Sequence, residues 1–320
     1  MTQQQSTGQT HVVFGAGQIG TPLAQLLVAR GHTVRQVRRK SAAVPAGVTV
    51  VHGDAADLAF AARAAEGATA IYHCMNPAYS TQQWEDFLPR WADSLTQAAG
   101  RAKARLVVLD NLYNLGVPAG PINEDTPMAA TTRKGAIRER VQAKYIHAHE
   151  RGHARVVMGR ASDFFGPGAS QSHFGDSFWP GVLANGGGTF IVPVDVPHSL
   201  AYTHDVVAGL ATLAEAPEEA YCRWWVLPTG PAITARETAK HLSAALGRNI
   251  RINVIPSFIR RTLGLFMPTL RELEEMMPTW RSPYVVDDRQ FRERFGVSHT
   301  PMEEAATATV AWAREHYGRK

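Results

Sequence analysis

The sequence predicts an α/β protein built on a Rossmann-type, doubly wound parallel sheet, with a smaller and mainly helical substrate lobe. Two observations support this prediction. A glycine-rich turn separates a short apolar run from a helix-like run near the N-terminus, and short β-branched runs then alternate with longer amphipathic runs. Sheets of this kind bind ligands at the carboxyl ends of their strands, so we expect the functional site there.

The glycine-rich turn lies in residues 11–20, which read HVVFGAGQIG and have the G-x-G-x-x-G spacing. Gly15 permits a tight turn, Gly17 lets backbone N–H groups approach a phosphate, and Gly20 lets the helix pack closely on the strand. The helix N-terminus adds a partial positive charge. The segment therefore predicts a site for the pyrophosphate of a dinucleotide.

The residues after the second predicted strand indicate which dinucleotide binds. That strand, over 33–37, is followed by the basic run RRK at 38–40, and no Asp or Glu occurs between Gly20 and Asp54. An acidic side chain here would hold the ribose 2′-hydroxyl of NAD, whereas arginine accommodates the 2′-phosphate of NADP. We therefore predict NADP as the cofactor. The alternative is a basic turn that is merely solvated.

Composition limits the class of protein. Of the 320 residues, 45% are hydrophobic and 19% are charged, which excludes disorder. The net charge is +5 and the basic residues are scattered, so we expect no nucleic-acid partner. Cys74 and Cys222 lie far apart, which fits a reducing compartment. Residues 1–10 lack a signal-peptide core and no run approaches the ~20 apolar residues of a membrane span, so we expect a cytoplasmic protein without a membrane partner.

The predicted elements divide the chain between two units. Strands are predicted over 11–14, 33–37, 48–51, 69–72, 105–109, 154–158 and 223–227. A helix is predicted to begin at Asp205, as its N-cap, and to run to about 215. We assign a dinucleotide-binding domain to 1–166 and 201–228, and a substrate-binding lobe to 167–200 and 229–320.

Five segments match one known family in the same order. They are the glycine turn at 15–20; GDAAD at 53–57, like the family's G-D-x-x-D; YHCMN at 72–76; MGRASDFFGPG at 158–168, like R-P-x-x-x-Y-G-P-G; and AYTHDVV at 201–207. Together they resemble the extended short-chain dehydrogenase/reductase superfamily, in its branch of NAD(P)-dependent epimerases and dehydratases, and particularly its atypical members. The resemblance implies a Rossmann fold, a nicotinamide dinucleotide and a small-molecule substrate.

Two departures from this family fall at its chemistry. DNLYNLG at 110–116 stands where the family has S-S-x-x-V-Y-G, so the serine that binds the reacting carbonyl is missing. No tyrosine of the chain has a lysine four residues after it, so the Y-x-x-x-K pair that transfers the proton is missing too. Counting back from RVV at 155–157 places the positions of that pair near Lys134 and Arg138.

Lys134 and Arg138 are the predicted replacements. Their i, i+4 spacing puts both side chains on one face of a helix, where they could point at the nicotinamide ribose. Arg138 stays charged and would only anchor the ribose, whereas desolvation and a neighbouring cation would make Lys134 a proton donor to a carbonyl oxygen. Some phenylpropanoid reductases of the superfamily are similar in relying on a lysine. The alternative is a solvated cationic helix face.

Tyr113 is the second candidate proton donor, because it lies past the fifth strand where the family's serine is missing. A phenol can act as an acid once a cation lies close; the alternative is that the ring packs in the core. His147, His149 and His153 do not share one helical face, so we predict no metal. The predicted cofactor contacts are Gly15, Gly17, Gln18, Ile19, Gly20, Arg38, Arg39, Asp54, Ala55, Cys74, Met75, Asn76 and Ala161.

Two apolar patterns concern the pocket and the oligomer. Apolar side chains, interleaved with charged ones, predict an amphipathic cover over an apolar pocket, or else a plain helix–helix contact. They are Phe266, Met267, Met276, Met277 and Trp280. A stripe of Trp84, Phe87 and Trp91 predicts either a homodimer or burial against the chain's own sheet.

The leading functional hypothesis is an NADP(H)-dependent oxidoreductase that interconverts a carbonyl or enone and an alcohol. No Lys or Arg occurs between Arg160 and Arg223, which disfavours a nucleotide sugar and favours a small, largely apolar substrate. A second hypothesis is an epimerase, dehydratase or other lyase that recycles its cofactor. The non-enzyme alternative is an NADP-sensing regulator similar to the NmrA-like proteins. The second lobe favours an enzyme, since a sensor need not enclose a substrate.

Overall fold

The computed structural model describes residues 8–40 and 43–318, and its elements are numbered in chain order. The strands are β1 Thr10–Phe14, β2 Thr33–Arg38, β3 Val48–His52, β4 Ala70–His73, β5 Arg105–Asp110, β6 Arg155–Arg160, β7 Asp163–Phe165, β8 Gly187–Phe190, β9 Leu200–Tyr202, β10 Trp224–Val226 and β11 Arg251–Val254. The helices are α1 Gly20–Ala29, α2 Leu58–Ala64, α3 Thr81–Ala102, α4 Arg133–Glu150, α5 Trp179–Asn185, α6 Thr203–Glu215, α7 Ala235–Leu246, α8 Ser257–Gly264, α9 Pro268–Glu274, α10 Met277–Arg281, α11 Arg289–Phe295 and α12 Met302–Tyr317.

The main sheet has seven strands in the order β3-β2-β1-β4-β5-β6-β10, and all neighbours are parallel. The winding reverses between β1 and β4, which leaves a crevice at the carboxyl ends of these two strands. The predicted fold class is therefore confirmed. Two small parallel sheets lie outside the main one, β7 with β9 and β8 with β11.

Helices cover both faces of the main sheet. On one face α1 packs on α6, and Leu23, Leu27 and Leu210 are fully buried there. On the other face α3 packs between α2 and α4. A third cluster of buried side chains, centred on Phe178 and Trp179, joins α5, α7 and α12 in the second lobe. Within residues 8–40 and 43–318, no helix is both long and apolar enough to cross a bilayer.

The aromatic stripe of α3 is covered within the chain. Trp84 is 1% exposed and Trp91 is 4% exposed, and both belong to the core between α3 and the sheet. Of the two interpretations offered by the sequence, burial against the chain's own sheet is therefore the correct one. The stripe does not support a homodimer, which stays a prediction.

Asp205 is not the N-cap of α6, so that prediction is wrong. The helix begins at Thr203 with Tyr202 as its N-cap. The carboxylate of Asp205 instead accepts hydrogen bonds from Thr300, at 2.8 Å from the backbone nitrogen and 2.6 Å from Oγ1. These bonds hold the start of α6 against the segment before α12.

Three buried histidines make the stability of the protein dependent on pH. Burial is the largest cause of each shift, and it lowers the pKa of His11 to about 4, that of His73 to about 3 and that of His173 to about 4. Below about pH 6.5 the unfolded chain therefore binds protons that the folded protein does not bind. We expect the free energy of unfolding to be highest above about pH 6.5 and to fall as the pH drops towards about 4, by up to about 1.4 kcal/mol per unit of pKa shift.

Urea unfolding at about pH 7 and about pH 5 tests this dependence. His11→Gln removes one of the three groups and is expected to weaken it. The matched control, His153→Gln, replaces an exposed histidine and should retain the full dependence. Equal stability of the unmodified protein at both pH values would contradict the expectation.

Candidate functional site

The glycine turn between β1 and α1 is constrained by the protein at two of its three glycines. Gly15 has a φ of +120°, and a Cβ there would lie 2.7 Å from the carbonyl oxygen of Cys74. A Cβ on Gly20 would lie 2.2 Å from the carbonyl oxygen of Gly15. A Cβ on Gly17, in contrast, would meet nothing within 4 Å. The fold does not need a glycine at position 17, so the open space beside Gly17 fits a ligand that approaches the backbone closely.

Alanine substitutions should separate the structural role of Gly20 from the ligand-binding role of Gly17. We expect Gly20→Ala to destabilise the fold by about 1–3 kcal/mol, because its methyl group meets backbone. Gly17→Ala should change the stability by less than about 1 kcal/mol, yet weaken dinucleotide binding about tenfold or more, because the methyl group fills the space of the phosphates. Thermal unfolding and calorimetric titration measure the two effects. Unchanged affinity in Gly17→Ala would contradict the assignment.

Gln18 and Ile19 complete the turn. Ile19 is buried under α1, where it precedes the first helical residue. Gln18 has a buried side-chain oxygen without a hydrogen-bond partner among the described residues. A Cβ built on Gly168, in the loop after β7, would lie 3.7 Å from the carbonyl oxygen of Gln18. The turn is therefore approached by a loop of the second lobe.

Two arginines lie at the end of β2, beside the glycine turn. Gln36 of β2 fixes the strand to the turn, because its Nε2 donates a hydrogen bond of 3.3 Å to the carbonyl oxygen of Gly15. Arg38 ends the strand and donates from Nη1 to the carbonyl oxygen of Ala43, at 3.2 Å. Arg39 is exposed. The end of β2 that carries these arginines therefore lies next to the turn.

The loops after β3 and β4 carry further predicted contacts. Asp54 is exposed, and its carboxylate accepts a hydrogen bond of 3.0 Å from the backbone nitrogen two residues later, whereas Ala55 is buried. Cys74 lies against Gly15, and burial raises the pKa of its thiol to about 12. Met75 is half-buried beside it. These loops flank the glycine turn at the carboxyl edge of the sheet.

Arg138 joins the loops that follow β4 and β5. Its Nη1 donates to Oδ1 of Asp110 at 2.9 Å, and its Nη2 donates to Oδ1 of Asn76 at 2.5 Å. The guanidinium lies 4.4 Å from the ring centroid of Trp84. Asp110 also accepts a hydrogen bond of 3.3 Å from the fully buried Arg160. Arg138 therefore lies in a buried charged network at the carboxyl edge, next to the backbone of Ala161, whose nitrogen donates to the carbonyl oxygen of Asp110.

Lys134 is fully buried, and three residues hold its ammonium group. Its Nζ donates to Oγ1 of Thr81 at 3.1 Å, to Oε2 of Glu275 at 2.9 Å, and to the carboxylate of Glu272. It also lies 4.9 Å from the ring centroid of Tyr79. Burial acts to raise the pKa of Glu272, but hydrogen bonds from Lys134 and Thr81 outweigh it and lower that pKa. The nearest charged partners of Lys134 are thus carboxylates and not the predicted neighbouring cation.

The interpretation of Lys134 and Arg138 as a solvated cationic face is therefore wrong, because Lys134 is 0% and Arg138 is 7% exposed. Both residues lie on α4 as predicted, but the ammonium group of Lys134 and the guanidinium group of Arg138 contact different partners. Arg138 reaches the sheet edge, and Lys134 reaches Glu272 and Glu275 in the 257–281 segment. Their roles in catalysis stay predictions.

Tyr113 lies in a short 3₁₀ helix directly after β5. Its ring stacks on Trp84 with 5.9 Å between centroids, and the side chain of Tyr79 lies close to its own. Burial raises the pKa of Tyr113 well above its ordinary value, and the nearby Tyr79 and Asp163 raise it further. This environment works against Tyr113 as an acid, since that role requires a nearby cation.

A histidine–carboxylate pair that the sequence did not predict lies near Tyr79 and Tyr113. Nε2 of His198 lies 2.8 Å from Oδ2 of Asp163, the first residue of β7. The imidazole of His198 stacks on two aromatic rings. Its centroid lies 3.9 Å from that of Trp280, with an interplanar angle of 1°, and 4.8 Å from that of Tyr284, with an interplanar angle of 13°. Burial acts to raise the pKa of Asp163, but the hydrogen bond and charge of His198 outweigh it and lower that pKa. The Asp163 side chain is still 30% exposed, so its carboxylate remains accessible.

The two partners of this pair are 35 residues apart, and neither has a local spacing that signals a pair. Asp163 lies in the segment that resembles R-P-x-x-x-Y-G-P-G, so an acidic residue within that motif was the one available signal. His198 lies among the glycine- and proline-rich loops of the second lobe. The pairing of β7 with β9, which begins two residues after His198, brings the two together.

The residues of the predicted apolar cover fall into a buried group and an exposed group. Met276, Met277 and Trp280 are buried, and Trp280 packs on His198. Phe266 and Met267 are exposed on the outer side, so their assignment to the pocket is wrong. The reason is that they form the turn between α8 and α9, where their side chains are 81% and 49% exposed.

The fold and the glycine turn define a dinucleotide-binding α/β protein of the extended short-chain dehydrogenase/reductase type. The family model described as the NAD dependent epimerase/dehydratase family matches residues 11–222, and the chain belongs to that family. No curated protein sequence matches the chain.

Solved structures share the fold along the whole chain. WbmH of Bordetella bronchiseptica in complex with NAD⁺ is 17% identical, with a TM-score of 0.74 and coverage of 97% of this chain and 99% of that one. UDP-glucuronic acid 4-epimerase from Bacillus cereus in complex with NAD is 14% identical, with a TM-score of 0.77 and coverage of 96% and 99%. DesIV, a dTDP-glucose 4,6-dehydratase from Streptomyces venezuelae, is 18% identical, with a TM-score of 0.75 and coverage of 97% and 98%.

Proposed function

We propose that this chain is an NADP(H)-dependent enzyme that oxidises a hydroxyl-bearing carbon, or reduces the corresponding carbonyl, on a small substrate without a diphosphate. The observation that carries the proposal is the open space at Gly17, which a bound pyrophosphate requires and the fold does not. Membership of the epimerase/dehydratase family supports a nicotinamide dinucleotide. When bound, the dinucleotide would supply nicotinamide C4 as the hydride donor or acceptor.

The cofactor preference departs from the similar structures, which contain NAD. Arg38 and Arg39 at the end of β2, together with the lack of any acidic residue from 21 to 53, support NADP instead. We expect NADP to bind more tightly than NAD. Arg38→Asp should reverse much of the preference, because it removes a phosphate partner and adds like-charge repulsion.

Calorimetric titration of the unmodified protein and Arg38→Asp with both dinucleotides tests this expectation. Arg35→Asp is a matched control, because Arg35 lies on the same strand and donates to backbone carbonyls at 64 and 66. It should leave the ratio of the two affinities unchanged. Equal affinity of the unmodified protein for NADP and NAD would contradict the proposed preference.

The charges of the site support a substrate without a diphosphate. The carboxylates of Asp163, Glu272 and Glu275 are 30%, 22% and 21% exposed near Tyr79. Burial is the largest cause of the raised pKa of Tyr79, and the negative charge of these carboxylates raises it further. Residues 161–222 contain no Lys or Arg. A diphosphate would therefore meet carboxylates where it needs cations.

Lys134 and Arg138 have distinct roles in this proposal. Lys134 donates a hydrogen bond, and then a proton, to the substrate oxygen after it exchanges one of its carboxylate partners. Arg138 holds the loops after β4 and β5 in register and contacts the ribose side of the site. The network around Arg138 excludes water from this edge, since Trp84 covers its guanidinium.

A second candidate function is an epimerase or dehydratase reaction, and the Asp163–His198 pair favours it. Such reactions move a proton at a second position of the substrate, and the accessible carboxylate of Asp163 could accept it while His198 holds its orientation. Family membership supports this candidate as well.

Incubation with NADPH and a panel of uncharged hydroxyaldehydes, hydroxyketones and enones separates the two candidates. Net loss of NADPH absorbance with formation of alcohol supports the oxidoreductase. In a parallel incubation with NADP⁺, conversion of a hydroxyl-bearing substrate without net formation of NADPH, seen by NMR, supports the epimerase or dehydratase, because such a reaction passes hydride to the oxidised cofactor and then takes it back. Tight NADP binding without conversion of any compound would favour the sensor and contradict both.

A further inference from the structure

The segment that holds Lys134 carries an apolar surface on its outer side. The turn between α8 and α9 exposes Leu265, Phe266 and Met267, and α8 exposes Phe258 and Ile259. We call these five residues the α8–α9 patch; their exposed fractions range from 39% to 81%. Among the residues that the structure describes, the remaining exposed large hydrophobic side chains are the scattered Val44, Val117 and Val254.

The five residues lie along α8 and the turn that follows it. Phe258 and Leu265 are seven residues apart, about two helical turns, and Leu265 directly follows Gly264, the last residue of α8. The backbone nitrogen of Leu265 donates to the carbonyl oxygen of Thr262, at 3.2 Å, which ties the turn to the end of the helix. Exposed apolar side chains grouped within one short segment mark an interaction site rather than an ordinary solvated surface.

In the 257–281 segment, the acidic and the basic side chains differ in their exposure. Its acidic residues all face inward: Glu272 and Glu275 pair with Lys134, and Glu274 pairs with the buried Arg260 at 2.5 Å. The exposed charges are those of three arginines: Arg261, whose Nε also lies 3.9 Å from the carboxylate of Glu274, Arg271 and Arg281. The patch therefore has a positively charged rim.

We propose that the α8–α9 patch docks the protein on an anionic membrane surface, with the apolar turn in the headgroup region and the arginines against lipid phosphates. Charge complementarity selects this occupant, since amphipathic segments with basic rims bind anionic lipids in this way. A second copy of the chain would bring the same arginines face to face. The protein would lie on the membrane surface without crossing it. This proposal differs from the expectation drawn from the sequence, which is that the protein has no membrane partner. It does not depend on which reaction the site performs.

Co-sedimentation with vesicles tests the proposal. The full chain is mixed with vesicles of phosphatidylcholine alone, or of equal parts phosphatidylcholine and phosphatidylglycerol. We expect binding to the mixed vesicles, little binding to phosphatidylcholine, and loss of about tenfold in affinity when Leu265→Ser and Phe266→Ser are combined. Arg261→Gln combined with Arg271→Gln should also weaken binding and reduce its dependence on salt.

The matched control is Val117→Ser, which removes an exposed apolar side chain outside the patch and should leave vesicle binding unchanged. Unchanged thermal unfolding shows that each variant is folded. The proposal is overturned if the unmodified protein binds neither vesicle, or if the patch variants bind as well as it does. It is also overturned if light scattering shows a dimer that Leu265→Ser with Phe266→Ser converts to a monomer, because the patch is then an interface between copies.

Discussion

Replacing Lys134 by methionine is expected to lower kcat by about 10²–10⁴-fold, the range found when a general acid is lost. Methionine fills a similar volume without the ammonium group. The effect should be large because the phenol of Tyr113 is buried and has a raised pKa, which weakens it as an alternative donor. Tyr113→Phe is therefore expected to change kcat only slightly.

The measurement is kcat for the carbonyl compound that is converted fastest with NADPH. Lys144→Met is the matched control, because Lys144 lies on the same helix but is 43% exposed and paired with Asp93 on the surface. It should retain full activity. If Tyr113→Phe loses activity and Lys134→Met does not, the proton donor is Tyr113. If both retain it, the proton comes from water or from the substrate.

Removing Arg138 is expected to cost about 3 kcal/mol of stability, because Arg138→Met leaves the buried carboxylate of Asp110 with Arg160 as its one remaining cation. The side-chain oxygen of Asn76 loses its donor as well. Arg138→Lys should recover only part of the loss, since an ammonium group cannot reproduce both guanidinium contacts. We also expect weaker dinucleotide binding, because both contacted loops flank the glycine turn.

Urea unfolding measures this loss, with Arg140→Met as the control. Arg140 lies on the same helix, but its pair with Glu85 is exposed on both sides, so it should contribute no more than about 1 kcal/mol. If Arg138→Met and Arg140→Met are equally stable, the network around Asp110 does not stabilise the fold.

The strands could be predicted because their signal is local. Each strand of the main sheet is a short β-branched run, and its observed ends lie within two residues of the predicted ones. The cap of α6 could not be predicted in this way. Asp205 has the residue type of an N-cap, but its preferred partner is Thr300, which is 95 residues later.

The same difference between local signals and distant partners applies to the candidate site. The glycine turn and the basic end of β2 are local, and the structure brings them together. Counting along the chain also put Lys134 and Arg138 on one helix, but it could not give their partners. Lys134 pairs with Glu272 over 138 residues, and Asp163 pairs with His198 over 35, so neither has a signal in spacing.

A crystal structure of the protein with NADP bound would show directly where the dinucleotide lies and which group faces it. We expect the pyrophosphate beside Gly17, the 2′-phosphate against Arg38, and Nζ of Lys134 within about 3.2 Å of the space over nicotinamide C4. A folded protein that excludes NADP from the glycine turn, or a bound nicotinamide with no protein donor within that distance, would contradict the proposed function.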